Sequence, residues 1–308
     1  MSRLAGVPVR FTWLRAFAQS AAHALHQAQH GKDASACMKL GKNAHAATLE
    51  PDKIVVYRGG TKIDSKGKPK MYTDVKQGGF WEEFKAAQRP DAVIVNAKEL
   101  ARAEAIAAAL RRADEERVHP ITGEPLPLLF GPGVVREQNI RWVRNGRACS
   151  STPDARLPGR WIADLKVART GDPERYPRDA TRQGYPAQLV MYDEADAYER
   201  TGDYRDVACE LYSIVVEPVE PYVVTTYRLT ASAVESGNRM LATWWNALNI
   251  CEATDHWPGY VQSVADFHVD DPLAMLDGFE VDSAADDDAA NGNADAGDEP
   301  QPIDWSAA

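Results

Sequence analysis

Two carboxylates and an amine stand close together in the middle of the chain: Asp154, then Asp164-Leu165-Lys166. Gln188 and Tyr192 follow, one helical turn apart. Paired carboxylates repel one another, and burying them costs several kcal/mol unless a cation joins them. Mg²⁺ suits that role, with Mn²⁺ as a substitute, because hard oxygen ligands hold it and it keeps water in its shell. A lysine beside such an ion can stabilise the negative charge that develops on a phosphate. The chemistry these types and spacings permit is therefore metal-assisted phosphodiester hydrolysis. The ordinary alternative for an Asp-x-Lys triplet is a charged pair on a half-exposed strand.

Local geometry favours convergence. Arg160 to Val167 (RWIADLKV) reads as a buried strand. Asp164 and Lys166 are two residues apart, so a strand points both to one face. Pro158-Gly159 signals a turn, which makes Ala148 to Leu157 the expected partner strand of a hairpin and sets Asp154 across from Asp164.

Pro153-Asp154 … Asp164-Leu165-Lys166 resembles the PD-(D/E)xK nuclease signature. Gln188-Leu189-Val190-Met191-Tyr192 resembles the Gln-x-x-x-Tyr motif of the RecB-type branch. Upstream, Gly41-Lys42-Asn43-Ala44-His45 with Leu49-Glu50-Pro51 resembles the GxxxH…LEP segment of RecE-like (exodeoxyribonuclease VIII-type) phage and prophage exonucleases. The four motifs occur in the family's order, from about Trp13 to about Leu229. The chain has Ser151-Thr152 where that family often has a basic residue, and Val167 where it often has Thr. The resemblance implies an α/β restriction-endonuclease-like core, a mixed central sheet flanked by helices. It implies that His45, Asp154, Asp164 and the Leu165 carbonyl hold metal and that Lys166 assists the attack. Glu137 would ligate the metal or orient a ligand from behind. Gln188 and Tyr192 would hold Lys166 or a phosphate. The implied partners are double-stranded DNA ends, a RecT-like single-strand annealing protein and further copies of the chain in a ring. The implied reaction is 5′ to 3′ digestion that leaves 3′ overhangs. Two other readings stay open: a DNA-end-binding module without cleavage, and a single-strand-specific or endonucleolytic enzyme.

The elements that must position these residues are legible from periodicity. Thr12 to Gln29 repeats apolar residues at helical spacing and forms an expected N-terminal helical segment, its His23, His26 and His30 on the surface. Ala36 to Leu49 reads as a helix ended by Pro51, with Gly41 one turn before His45 where a small residue would admit a close neighbour. Ile54 to Tyr57 reads as a strand, followed by a Lys-rich turn that is either DNA-facing or a solvated tip, and Phe80 to Phe84 as a short amphipathic helix. Asn96 caps a helix over about 97–113, with Arg111, Arg112 and Arg117 expected in solvent at its far end. Val134 to Val143 reads as one strand, Thr181 to Arg200 as one helix, and Cys209–Glu217 and Tyr222–Leu229 as strands. Ala231 to Cys251 reads as a long helix that buries Trp244 and Trp245.

Composition sets the remaining bounds. The net charge of −10 is unevenly placed: residues 240–308 hold 15 of the 45 acids and no Lys or Arg, which leaves 35 basic against 30 acidic side chains in residues 1–239. The body is mildly basic, as a DNA partner requires, and the end is acidic. The organisation expected is one nuclease domain over 1–278 and a disordered acidic tail over 279–308 that ends in Pro302-Ile303-Asp304-Trp305. Cys37, Cys149, Cys209 and Cys251 show no paired spacing, so a reduced cytoplasm is the expected setting, and the resemblance to RecE-like proteins implies a bacterial host with a phage or prophage origin. No stretch is apolar enough to span a membrane, and the start lacks a secretory apolar core.

Overall fold

The strand that carries Asp164 runs through the middle of a five-stranded mixed sheet. A computed structural model describes residues 3–31, 35–63 and 68–260, with Ala36 and Cys37 described by their backbone alone. The boundary expected at 278 and 279, the acidic tail and Pro302–Trp305 lie outside the described residues.

In chain order the elements are α1 (Phe11–Leu14), α2 (Ala21–His30), α3 (Ala36–Leu49), β1 (Ile54–Val56), β2 (Gly60–Ile63), β3 (Pro69–Tyr72), α4 (Gly79–Ala86), β4 (Val93–Val95), α5 (Ala97–Glu115), β5 (Val135–Arg136), β6 (Ile140–Arg144), β7 (Arg147–Ser151), β8 (Ala155–Leu157), β9 (Trp161–Val167), α6 (Tyr176–Arg182), α7 (Tyr185–Thr201), β10 (Glu210–Val216), β11 (Val224–Arg228) and α8 (Ala231–Thr254). The main sheet has the order β11-β10-β9-β8-β5. β9 pairs parallel with β10 and antiparallel with β8, and the outer pairs are antiparallel. Trp161 to Leu165 are all buried, with no alternation, because both faces of β9 are covered. Trp161, Ala163 and Leu165 pack with Ala44 and Leu49 of α3 and with Ile106 and Leu110 of α5. Ile162 points the other way, into the cluster of α7 and α8 that contains Leu189, Met191, Leu241 and Leu248. Each fully buried aliphatic side chain of this kind contributes about 1.5–3 kcal/mol.

Several expected elements break where local chemistry intervenes. The N-terminal helix is interrupted: Arg15–Ala18 form a 3-10 turn and Ser20 restarts the helix by accepting from the His23 N–H. Val134–Val143 is two strands in two sheets, because Glu137 takes a left-handed backbone, φ 51°, and turns the chain out of the main sheet. The partner of β9 is only Ala155–Leu157; residues 147–151 instead form a hairpin with β6 across Asn145-Gly146, both at positive φ. Thr181–Arg200 is likewise split at Gly184, whose left-handed φ of 73° lets α6 turn into α7. A Cβ there would meet the Trp244 ring at 2.8 Å, so the turn also packs on α8.

Of the three arginines expected in solvent, Arg111 and Arg112 are exposed and Arg117 is held by the fold. Arg117 is buried in an ion pair with Asp114, whose carboxylate also accepts from the backbone N–H groups of Leu128, Leu129 and Phe130 at 2.9–3.1 Å. Arg111 donates to the Ala47 carbonyl at 3.2 Å and lies over the Phe130 ring. Lys62 of the Lys-rich hairpin pairs with Glu83. His23, His26 and His30 are exposed, and Trp244 and Trp245 are core residues, as expected.

Candidate active site

The β8–β9 register fixes the first two carboxylates. Ala155 pairs with Ala163, so the next step along the antiparallel ladder sets Asp154 opposite Asp164. β8 begins only at Ala155, which leaves the Leu165 N–H to the Asp154 side chain: Asp154 Oδ2 accepts it at 2.6 Å. In a strand the N–H and C=O of one residue point to the same side, so the Leu165 carbonyl faces this edge too. The hairpin is anchored to α7 by a buried ion pair. Arg156 donates to Asp196 at 2.7 Å, and the other Asp196 oxygen accepts from the Gly159 N–H at 3.0 Å. Removing one member of such a pair leaves an uncompensated buried charge, so the attachment is stiff.

Three further ligand-type side chains join the first two carboxylates, His45 and Glu50 from α3 and Glu137 from the end of β5. His45, on α3, lies with Nε2 3.1 Å from Asp154 Oδ1 and 3.2 Å from Glu137 Oε1. Glu50 ends the same helix, and ligand atoms of His45, Glu50 and Glu137 all lie within 4.8 Å of one another. Gly41 does not serve as the close-approach point expected of it, since a Cβ there would meet open space. What brings His45 in is the packing of Ala44 and Leu49 against β9. Glu137 reaches the group through its left-handed turn at the end of β5.

On the α7 side stands a second chain of contacts. Lys166 Nζ is 2.5 Å from Asp164 Oδ2, donates to Gln188 Oε1 at 3.1 Å and lies 4.6 Å from the centre of the Tyr185 ring. Gln188 Nε2 then donates to the Tyr192 hydroxyl at 2.7 Å. His45, Glu137, Asp154, Asp164, Leu165, Lys166, Gln188 and Tyr192 thus meet at one sheet edge. Glu50 and Tyr185 join them without having been singled out. Glu50 stood inside the Leu-Glu-Pro segment, where it reads as part of a helix end. Tyr185 is three residues before Gln188, the spacing of a helix neighbour. Arg144, considered for DNA contact, is instead paired with Glu194 at 3.0 Å behind the site, and Arg141 is exposed.

The electrostatics call for a cation. Burial pushes Glu137 up to about 8, against the pull of His45. Burial also lifts Asp164 above the usual carboxylate range, opposed by Lys166 and reinforced by Asp154. For Asp154 burial acts in the same direction, but His45, Lys166 and the Leu165 N–H outweigh it and hold the carboxyl low. Burial would lower His45, yet Asp154 and Glu137 raise it to about 9. Asp164 Oδ1 is buried without a hydrogen-bond partner, and Glu137 Oε1 is buried with the His45 imidazole 3.2 Å away but in no well-formed hydrogen bond. Native proteins rarely leave such oxygens unsatisfied. A set of carboxylates plus one imidazole is the donor chemistry of Mg²⁺, Mn²⁺ and similar divalent ions. The residues fit a divalent metal, and His45, Glu50 and Glu137 form a candidate site for one.

With that geometry established, likeness to known proteins becomes informative. Residues 11–267 match the family described as PDDEXK-like domain of unknown function (DUF3799). No curated protein sequence matches the chain. Among solved structures, the chain is similar to a candidate exonuclease from Eubacterium rectale, with a TM-score of 0.50 and 11% identity over 91% of this chain and 96% of that one. That likeness is one of fold. The mixed sheet with helices on both faces is the PDDEXK-like architecture, as the sequence led us to expect. The membership rests on that domain and not on the RecE-like exonucleases in particular. No helix among the described residues is long and apolar enough to cross a membrane.

Proposed function

The chain belongs to the PDDEXK-like domain family, and from that premise we propose that it is a metal-dependent DNA exonuclease acting on linear duplex. The observation that carries this reading is the meeting of His45, Glu50, Glu137 and Asp154 beside the Asp164–Lys166 pair. His45, Glu50, Glu137 and Asp154, with Asp164 and the Leu165 carbonyl, would hold Mg²⁺ or Mn²⁺. Such an ion supplies Lewis acidity toward phosphodiester oxygens and makes water a better nucleophile near neutral pH. Lys166 presents its ammonium to the charge that develops on the phosphate. Asp164 and Gln188 fix where that ammonium points, and Tyr192 fixes Gln188. Burial keeps the Tyr192 phenol neutral, so it holds its place as a hydrogen-bond partner.

The finer reading is digestion from 5′ ends to leave 3′ overhangs for a single-strand annealing partner in phage-type recombination, by a ring of several copies in the bacterial cytoplasm. Its support is the order and spacing of the motifs around His45, Asp154, Lys166 and Gln188. Duplexes labelled separately at each 5′ and each 3′ end, with closed circular DNA alongside, test it. Early loss of the 5′ label with the circle intact is the expected outcome. Early loss of the 3′ label reverses the polarity, and cutting of the circle removes the exonuclease assignment.

A further inference from the structure

A chamber of ≈ 720 Å³ opens beside Lys166, between the N-terminal helices and the α6–α7 turn. The protein has 45 acids against 35 Lys and Arg, yet no Asp or Glu lines this chamber. Arg15, Arg182 and Lys166 do, together with the amides of Gln19, Gln183 and Gln188. Arg15 is fixed toward the opening by donating to Gln183 Oε1 at 2.7 Å. Arg182 is exposed, and among the described residues it has no ion-pair partner. The inner wall is aromatic, formed by Phe11, Tyr185 and Trp244. Cationic and amide donors around an aromatic wall are the means by which proteins hold a single polynucleotide strand: charge follows the phosphates and rings face the bases. The chamber lies in the size range of sites that enclose one small organic ligand, which admits a nucleotide or two of one strand and excludes a duplex.

We propose that the cleft between Arg15 and Arg182 is a single-strand binding site that leads one polynucleotide strand to Lys166. The proposal rests on the nuclease reading for its purpose, and its binding test stands apart from cleavage. Gln188 and Lys166 form the inner end of the cleft and the inner end of the hydrolytic group, so a strand lying in it brings a phosphodiester to the reacting side chains. Arg15 and Arg182 sit on different elements, α1's following turn and α6, and face the cleft from both sides.

The test is binding of a 5′-fluorescein-labelled short oligothymidylate, followed by anisotropy in EDTA over about 50–200 mM salt. Wild type is compared with Arg15→Ala/Arg182→Ala, with Arg15→Lys/Arg182→Lys, and with Arg205→Ala/Arg239→Ala as a remote loss of two charges. Two lost phosphate contacts make the slope of log affinity against log salt shallower by about 1.4 for a single strand. The expected result is that slope change with binding weakened about tenfold, recovery in the lysine pair, and little change in the remote pair. Since both arginines are at the rim, Arg182→Ala alone, with an unchanged unfolding midpoint, supplies a second reading if the double variant fails to fold. Wild-type affinity and slope in the Arg15/Arg182 variants overturn the proposal, as does a wild type that does not bind the oligonucleotide. Competition by an end-closed duplex as strong as by the single strand also overturns it. A wild type that binds in this pattern but releases no nucleotides from DNA in Mg²⁺ or Mn²⁺ sinks the nuclease reading and leaves the cleft assignment standing.

Discussion

Glu50 is the residue whose role the structure changes most. It lies with His45 and Glu137 inside one 4.8 Å group, and it is ion-paired with Lys53. Glu50→Gln keeps the shape and removes the charge, so it should weaken Mn²⁺ binding about ten- to a hundredfold in calorimetry. Unchanged affinity would exclude Glu50 from the metal's surroundings. Protons compete for the same atoms. His45 is raised to about 9 and Glu137 to about 8, so near neutral pH both hold protons that an arriving cation must displace. Affinity for Mn²⁺ should therefore climb from pH 6 to pH 9, with proton release that shrinks as the pH rises. Flat affinity over that window would contradict the assignment of these two side chains.

At this scale the sequence was informative where chemistry repeats at a fixed spacing. Asp164 and Lys166 share a strand face because strands alternate, and Gln188 and Tyr192 share a helix face because helices turn in under four residues. Asp154 is legible through the Pro158-Gly159 turn, which sets the register. Glu50 was not, because a carboxylate at a helix end has many uses and only the fold brings it to His45. Glu137 was found as a residue, but its left-handed turn was hidden, since glutamate gives no local sign of positive φ.

Among the elements, the α5 terminus shows what periodicity leaves out. Arg117 read as solvated because its neighbours in sequence are charged. In the fold, Asp114 gathers the backbone N–H groups of Leu128, Leu129 and Phe130 and covers Arg117. That carboxylate secures the long passage from α5 to β5, which delivers Glu137. Asp114→Ala strands a buried guanidinium and three amides, and should cost about 3–5 kcal/mol in urea unfolding. A loss under about 1 kcal/mol would show that the passage is held by other contacts. The α3, α5, α7 and α8 helices were found by their apolar stripes with ends correct to a few residues. The breaks at Arg15–Ala18 and Gly184 were missed, because each depends on packing against α8 or on a cap and not on a change of period.

For the whole molecule, the five-stranded sheet holds the site at the edge where β8 and β5 stop short. That leaves the Leu165 backbone and the Asp154 and Glu137 carboxylates open to α3 from one face and to Lys166 and Gln188 from the other. The fold class followed from the motifs and from the apolar run at Trp161 to Leu165; the split of the charge, with the acids of residues 240–308 set apart from a mildly basic body, followed from composition alone. The central claim is that these side chains form a divalent-metal centre that hydrolyses DNA. Release of acid-soluble nucleotides from linear duplex, by wild type and by Asp164→Ala, in Mg²⁺, in Mn²⁺ and in EDTA, tests it most directly. The account predicts release with either metal, none in EDTA, and a loss of about a hundredfold or more in the variant. Release that persists in EDTA, or that Asp164→Ala leaves untouched, would contradict it.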